Sequence, residues 1–167
     1  MFLWQRYNRI ILSKTYSNIE DCIKYFTNVW ESGNTASTSD INFTLPDSPF
    51  KLEFIAEDTG ITSNNGYVQI SLGQSDINRY IISKARTKSI LYLFNNSSSS
   101  AIELANSSSY SSLQSQKHIL TYENGVWTLF IDNIQAFTIN NTVLTPNKIS
   151  KITIRNGKLS NLKIKPL

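Results

Sequence analysis

Residues 123–139 read Glu-Asn-Gly-Val-Trp-Thr-Leu-Phe-Ile-Asp-Asn-Ile-Gln-Ala-Phe-Thr-Ile, and this stretch decides the fold. Trp127, Leu129 and Ile131 occupy alternate positions, so they share one face of an extended chain, as a pleated strand requires. Asp132-Asn133 follows, and both residue types tolerate positive φ and can hydrogen-bond to their own backbone, which lets the chain reverse. The stretch therefore predicts a β-hairpin whose first strand turns Trp127 toward a buried layer.

The same alternation recurs along the chain from residue 41 onward. Turn-forming clusters separate the apolar segments, for example Ser63-Asn-Asn-Gly66 and Asn124-Gly125. Short strands at this spacing are typical of an antiparallel sandwich or barrel. The predicted strands are Ile41–Leu45, Phe50–Glu57, Tyr67–Leu72, Asn78–Ser83, Ser89–Phe94, Ala101–Leu104, Lys117–Tyr122, Val126–Asp132, Gln135–Ile139, Ser150–Arg155 and Asn161–Lys165.

The order of strand, Asp132-Asn133 turn and strand resembles the hairpin of concanavalin A-like and laminin G-like jelly-roll modules, of the kind found in phage virion proteins and microbial surface adhesins. Residues 159–167 resemble the last strand of such a module, with Pro166 ending its hydrogen bonding. The resemblance covers roughly residues 20–167. It implies an all-β fold, a two-sheet antiparallel jelly-roll sandwich.

The segment from Ser17 to Gly33 admits two interpretations. Ser17-Asn-Ile-Glu20 has the form of a helix capping box, and Gly33 could end a helix. The alternative is an extended chain, because Glu31-Ser-Gly-Asn34 resembles a turn found in the jelly-roll modules. We expect a short helical or irregular segment. Its apolar residues recur at three- and four-residue spacing: Ile19, Cys22, Ile23, Phe26, Val29 and Trp30.

Residues 1–16 are predicted to lie outside the sandwich domain, which takes residues 17–167. This segment is too apolar for a free tail, so it either adds a strand to the sandwich or docks on a neighbouring subunit by strand addition. We interpret it as a partner-binding arm. The apolar side chains assigned to the arm are Phe2, Trp4, Tyr7, Ile10, Ile11 and Leu12.

Composition restricts the location and the partners. No apolar run approaches the ~20 residues of a membrane helix, and no signal peptide is evident, so we expect synthesis in a host cytoplasm and no membrane partner. Cys22 is the single cysteine, which excludes an internal disulfide. The net charge is +4, and the carboxyl-terminal lysines alternate with apolar residues, as on a solvated strand face, so we do not expect nucleic acid as a partner. These basic residues are Lys148, Lys151, Arg155, Lys158, Lys163 and Lys165.

Residues for catalysis are scarce, so we expect no enzyme. Glu53, Glu57 and Asp58 do not have the spacing of a glycosidase acid pair. His118 is the only histidine, which excludes a histidine-based zinc site and gives no convincing Ser-His-acid triad. We predict that His118 faces solvent or a partner.

No metal and no cofactor are predicted. Asp76, Asn78, Asp132 and Asn133 could supply oxygen ligands to calcium, but turn chemistry explains all four equally well.

Sugar binding would use an aromatic platform with polar neighbours. The preferred candidates are Tyr110, Trp127 and Tyr122, although Trp127 shares parity with Leu129 and Ile131, so packing in the core is its favoured place. Tyr110 lies in a Ser-rich loop and is the aromatic residue expected to be most exposed. Further candidates are Trp30, Tyr80 and Tyr92.

Two functions follow from these observations. The first is a non-catalytic structural component of a virus particle, in a phage head decoration, fibre or tail, with other virion proteins or identical subunits as partners. The second is a carbohydrate-binding, lectin-like or adhesin module that recognises host surface glycans. The Ser- and Asn-rich loops, the absence of a secretion signal and the apolar arm favour the first, and we expect a virion location.

Overall fold

The computed structural model describes residues 22–47, 49–58, 66–85, 87–95, 100–108 and 115–167, and all regular structure in them is β. The strands are β1 (Lys24–Phe26), β2 (Trp30–Ser32), β3 (Ser37–Thr44), β4 (Phe50–Asp58), β5 (Tyr67–Gly73), β6 (Arg79–Ala85), β7 (Ser89–Phe94), β8 (Ile102–Asn106), β9 (Gln116–Glu123), β10 (Val126–Ile131), β11 (Ile134–Asn140), β12 (Lys148–Arg155) and β13 (Gly157–Pro166). Every strand predicted from residue 41 onward is present, with shifts at the ends.

The strands form two antiparallel sheets. The first sheet has the order β1-β13-β4-β9-β10-β11, and β2 also pairs with β13. The second has the order β3-β12-β5-β6-β7-β8. The two sheets enclose a common core, which confirms the predicted two-sheet sandwich.

The hairpin that decided the fold forms as predicted. Asp132 and Asn133 have φ values of 51° and 67°, as a two-residue turn with both central residues left-handed requires. Ile131 pairs with Ile134 across this turn. Asn124-Gly125 makes the same kind of turn between β9 and β10, with φ values of 49° and 88°.

Trp127 lies at the centre of the core, with no exposed surface. Its ring centroid is 4.7 Å from that of Tyr80, in the second sheet, and 4.6 Å from that of Tyr122, its neighbour in the first. Leu129 is fully buried and Ile131 nearly so, which confirms the predicted parity of β10. Tyr80 thus packs across the core against Trp127 and connects the second sheet with the first.

The helical interpretation of the amino-terminal segment is wrong for the residues described. Lys24–Phe26 and Trp30–Ser32 are short strands, which pair with β13 at Ile164 and Leu159 among other positions. A helix would satisfy its own backbone groups, but here the exposed edge of β13 supplies partners instead. Two of the apolar residues whose spacing suggested a helix, Phe26 and Trp30, pack against each other with ring centroids 6.1 Å apart. Phe26 also contacts Phe43, with ring centroids 5.7 Å apart.

The proposed arm, residues 1–16, and the capping box at Ser17–Glu20 lie outside the described residues. The boundary between the arm and the sandwich domain therefore stays a prediction. No helix in the described part of the chain is long and apolar enough to span a membrane.

Candidate functional site

The outer face of the second sheet carries a mixture of polar, charged and aromatic side chains. Cross-strand partners in an antiparallel sheet share a face, so the pairing register identifies its members. One row runs across all the strands of this sheet: Asp40, Lys151, Ser71, Ile81, Tyr92 and Glu103. Beside it runs a second row: Thr38, Thr153, Gln69, Ser83, Ile90 and Asn106. A shorter third row consists of Gly73, Arg79 and Phe94.

We use the term mixed face for the central part of this surface, which comprises Gln69, Ser71, Arg79, Ile81, Ser83, Ile90, Tyr92, Phe94, Glu103 and Lys151. Ile81 and Ile90 are only 5% exposed although neither belongs to the core between the sheets. Ser71 and Ser83 lie beside them in the register. The centre of the mixed face is therefore made of small and aliphatic side chains, with longer polar ones around it.

Ion pairs hold two cations at one end of the mixed face. Asp76, in the loop between β5 and β6, accepts hydrogen bonds from Lys151 and Arg79, the latter at 2.5 Å from Nη1 to Oδ1. The hydrogen bond and the charge of Lys151, together with Arg79, lower the pKa of the Asp76 carboxyl. The Arg79 guanidinium also lies 4.8 Å from the centre of the Phe94 ring. These contacts fix the direction of Arg79.

Tyr92 combines a half-buried ring with a polar hydroxyl on the mixed face. Burial, and then the negative charge of Glu103, raise the pKa of its phenol, so the hydroxyl stays protonated at neutral pH. Nearby, the Gln69 amide donates to the Ser83 hydroxyl at 3.3 Å. The mixed face thus carries a half-buried phenol together with amide, guanidinium and carboxylate groups, which can exchange hydrogen bonds with a polyhydroxylated ligand. The Ser71 and Ser83 hydroxyls between them are buried.

The aromatic residues predicted to form a sugar-binding platform do not lie on the mixed face. Trp127 and Tyr122 are buried in the core, where a ring cannot stack on a sugar, so the favoured core position of Trp127 is the correct one. Tyr80 is buried with them. Tyr110 lies outside the described residues. Of the further candidates, Tyr92 lies on the mixed face, and its alternation with Leu91 and Leu93 was the sequence signal for an outward position.

His118 is buried, so the prediction that it faces solvent or a partner is wrong. The ring stacks on Phe54 with centroids 5.0 Å apart, and its Nε2 is 2.8 Å from the Ser89 hydroxyl. Its Nδ1 is 3.1 Å from the backbone oxygen of Gln116. Both ring nitrogens thus have partners, which makes burial of the neutral imidazole possible, and burial lowers the pKa of His118 to about 4.

Ser89 and His118 are in contact, but a substrate cannot reach them as a nucleophile and its general base. Both residues are 0% exposed, and a backbone oxygen takes the place of the orienting carboxylate. Ser89 and His118 therefore serve the packing between the sheets.

The acidic residues noted in the sequence have structural contacts. Glu53 lies 3.3 Å from the Lys165 ammonium and 3.7 Å from that of Lys51, while Asp58 is buried. Asp132 accepts a hydrogen bond from the backbone N–H of Lys117 at 2.9 Å. Over the ranges that the structure covers, no three His, Cys, Asp or Glu side chains are grouped to hold a metal ion.

Solved structures with the same fold include proteins named for binding carbohydrate. The carbohydrate binding module CBM66 from Bacillus subtilis matches with a TM-score of 0.59 and 8% identity, over 85% of this chain and 91% of that one. The metal-free carbohydrate recognition domain of Emp46p matches with a TM-score of 0.63 and 15% identity, over 85% and 87%. Sheep galectin-11, in complex with glycerol, matches with a TM-score of 0.55 and 9% identity, over 81% and 99%.

At these identities the likeness shows the fold alone, a jelly-roll β-sandwich consistent with the concanavalin A-like resemblance. No protein-family model matches the chain, and no curated protein does.

Proposed function

We propose that the domain binds carbohydrate through the mixed face. The observation that carries the proposal is the set of side chains there: Tyr92 lies next to Glu103, Arg79 lies one row away, and Gln69 lies two strands away. Sugars present apolar C–H surfaces and many hydroxyls, so they are recognised by an aromatic ring together with fixed polar groups. The fold shared with carbohydrate-binding domains supports the same conclusion.

The mixed face suits this role because its polar groups are already oriented. Gln69 is held by Ser83, and Arg79 is held by Asp76 and Phe94. Side chains that are ordered before binding lose less conformational entropy when the ligand arrives. Opposite charges on Lys151, Arg79, Asp76 and Glu103 balance one another, which favours a ligand recognised by hydrogen bonds rather than by charge.

A role in a virus particle is a separate proposal. It rests on composition and on the arm, and residues 1–16 lie outside the described part of the chain. A virion location and assembly partners therefore stay predictions. Glycan recognition is the function that the described residues favour, and it is compatible with display on a virus particle or on a cell surface.

The test is a glycan array with the purified protein, followed by calorimetric titration of the glycan that binds best. Removing the ring in Tyr92→Ala, or the amide in Gln69→Ala, should weaken binding about tenfold or more, because each deletes a direct contact. Phe130→Ala, an aromatic truncation on the outer face of the first sheet, serves as the matched control and should retain affinity.

Thermal melts should show that each variant remains folded. Unchanged affinity in both Tyr92→Ala and Gln69→Ala would place any glycan site elsewhere, and an equal loss in Phe130→Ala would point to a general effect on the fold. An array without any bound glycan would overturn the proposal.

A further inference from the structure

We propose a second ligand site on the opposite side of the sandwich, which binds an acidic sugar by its anionic group. The site is a depression of about 300 Å³ on the outer face of the first sheet. We call it the bulge site, because it lies beside an irregularity in β13. It is lined by Glu53, Phe54, Ile55, Lys117, Asn161 and Lys163.

The backbone of β13 creates the depression. The register between β13 and β4 shifts after Ser160, and pairing resumes at Lys163. Asn161 lies within this irregularity with a φ of 53°, a left-handed conformation that asparagine tolerates. The one extra residue bends the strand locally. Ile55 of β4 forms an apolar part of the lining.

Two lysines flank the bulge site from opposite sides. Lys117 of β9 pairs with Ile55, while Lys163 of β13 pairs with Glu53, so both lysines lie on the outer face on either side of β4. Neighbouring strands are about 4.8 Å apart and the two lysines are offset by two residues along β4, so their backbones are about 12 Å apart, and both side chains can reach one ligand between them. Lys117 is exposed and has no carboxylate within ion-pair distance among the described residues.

The one acid in the lining does not cancel this charge. Glu53 already lies 3.3 Å from the Lys165 ammonium and 3.7 Å from that of Lys51. Glu53 also pairs with Lys163 in the register, and Lys117 lies on the other side of β4. The lysines around the bulge site thus outnumber this one carboxylate, which leaves a positive potential there. An anionic group between them would form charge-assisted hydrogen bonds, which are stronger than neutral ones.

A tyrosine at the rim favours a sugar over a simple ion. Tyr25 is 46% exposed, donates a hydrogen bond to Asn161 Oδ1 at 3.1 Å, and has the Lys163 ammonium 5.4 Å from its ring centre. With Oδ1 accepting from the phenol, the Asn161 amide nitrogen is left as a donor. The bulge site thus offers an exposed ring, an amide donor and two ammonium groups around an apolar floor, which fits a sugar bearing a carboxylate or sulfate.

Nucleic acid fits the same face less well. Glu57 and Glu123 share the outer face with the lysines, by the register of β4 and β9. A polyphosphate chain laid across the sheet would meet these carboxylates and be repelled. A single acidic sugar in the depression avoids them.

The test uses two acidic probes, a short oligogalacturonate and a sulfated chondroitin oligosaccharide, followed by calorimetry and amide NMR. The methyl ester of the oligogalacturonate has the same rings without charge. We expect at least one acidic probe to bind and to shift the amides around Lys117 and Asn161, with its uncharged counterpart weaker by about tenfold or more.

The variants Lys117→Gln and Lys163→Gln should each weaken binding about tenfold, because each removes a charged contact. Lys158→Gln is the matched control, since it removes the same charge from β13 away from the depression. If Lys163→Gln does not fold, the loss of affinity in Lys117→Gln alone tests the proposal.

Failure of both acidic probes to bind, or an ester that binds as well as the acid, would overturn the bulge site. An equal loss in Lys158→Gln would show diffuse attraction instead of a site. Tighter binding of single-stranded DNA than of either oligosaccharide would assign the face to nucleic acid. None of these outcomes bears on glycan binding by the mixed face, which is on the other sheet.

Discussion

At the residue scale, the buried histidine shows most clearly how tertiary context overrides a sequence preference. His118 lies in a strand whose alternation leaves open which face is inward. Its imidazole is buried because Ser89, the Gln116 backbone and the Phe54 ring together satisfy its nitrogens and its π-face. Such a residue stabilises the fold only while it is neutral.

His118 should make stability depend on pH. Its pKa is about 4 in the folded protein against 6.5 for an ordinary histidine, so between these values the unfolded chain binds a proton that the folded chain does not. Stability should therefore be fullest above pH 6.5 and fall as the pH drops toward about 4, by up to about 3 kcal/mol. The positive charge of Lys84 disfavours the protonated form further, while Asp132 favours it.

Urea melts of the wild type and of His118→Gln across this pH range would measure the effect. The variant lacks the titrating group, so the difference between the two curves removes contributions from carboxylates. An identical pH dependence in both proteins would contradict this account.

At the scale of elements, the β10–β11 hairpin depends on its turn. Asn133 has a φ of 67°, a conformation that glycine adopts freely and β-branched residues adopt with strain. The turn sets the pairing of Ile131 with Ile134 and of Phe130 with Gln135. The register then shifts by one residue, which places Leu129 opposite Phe137, so the turn and this irregularity together set the register of the hairpin.

Asn133→Gly should leave the free energy of unfolding unchanged or slightly higher, because Asp-Gly is a favoured sequence for this turn. Asn133→Val should lower it by about 1–2 kcal/mol, the cost of a left-handed conformation in a side-chain-bearing residue. Denaturant melts give both values. Gln135→Val, a β-branched substitution at a paired residue of the same hairpin that does not have a positive φ, serves as the control and should cost less. Equal stability of Asn133→Val and the wild type would show that the turn relaxes.

At the scale of the whole molecule, the sandwich buries its core between its own two sheets. Both layers contribute to the cluster around Trp127, through Tyr80 from one sheet and Tyr122 from the other. Ligand binding is proposed on outer faces that this core supports from behind. In each strand, the inward side chains therefore stabilise the fold, and the outward side chains are available for the proposed ligands.

Deleting residues 1–16 should leave a folded, monomeric domain that no longer joins its oligomer or particle. The segment is rich in large apolar side chains, and burying even three on a partner, at about 1.5–3 kcal/mol each, would offset much of the cost of ordering it. Size-exclusion chromatography with light scattering, alongside thermal melts, would measure both properties. A truncated chain that cannot fold would make the segment part of the core, and unchanged assembly would exclude it as the arm.

The strands from residue 41 onward, the two turns of the β9–β11 region and the inward face of β10 could be predicted from the amino-acid sequence. These features depend on local rules: a side-chain period of two and the tolerance of Asp, Asn and Gly for positive φ. The short strands β1 and β2 escaped prediction because three residues carry too little periodicity, and their backbone partners lie in β13.

The identity of neighbouring strands, on which both candidate sites depend, could not be predicted and is known from the folded structure. β12 pairs with β5, and β13 with β4, although each pair is far apart in the chain. The row containing Ser71, Ile81 and Tyr92 exists because of such pairings, as does the approach of Lys117 to Lys163. The alternation of apolar and polar residues divides the side chains of a strand between two faces. Which face is buried depends on how all the strands pack together, and a local segment of sequence does not contain that information.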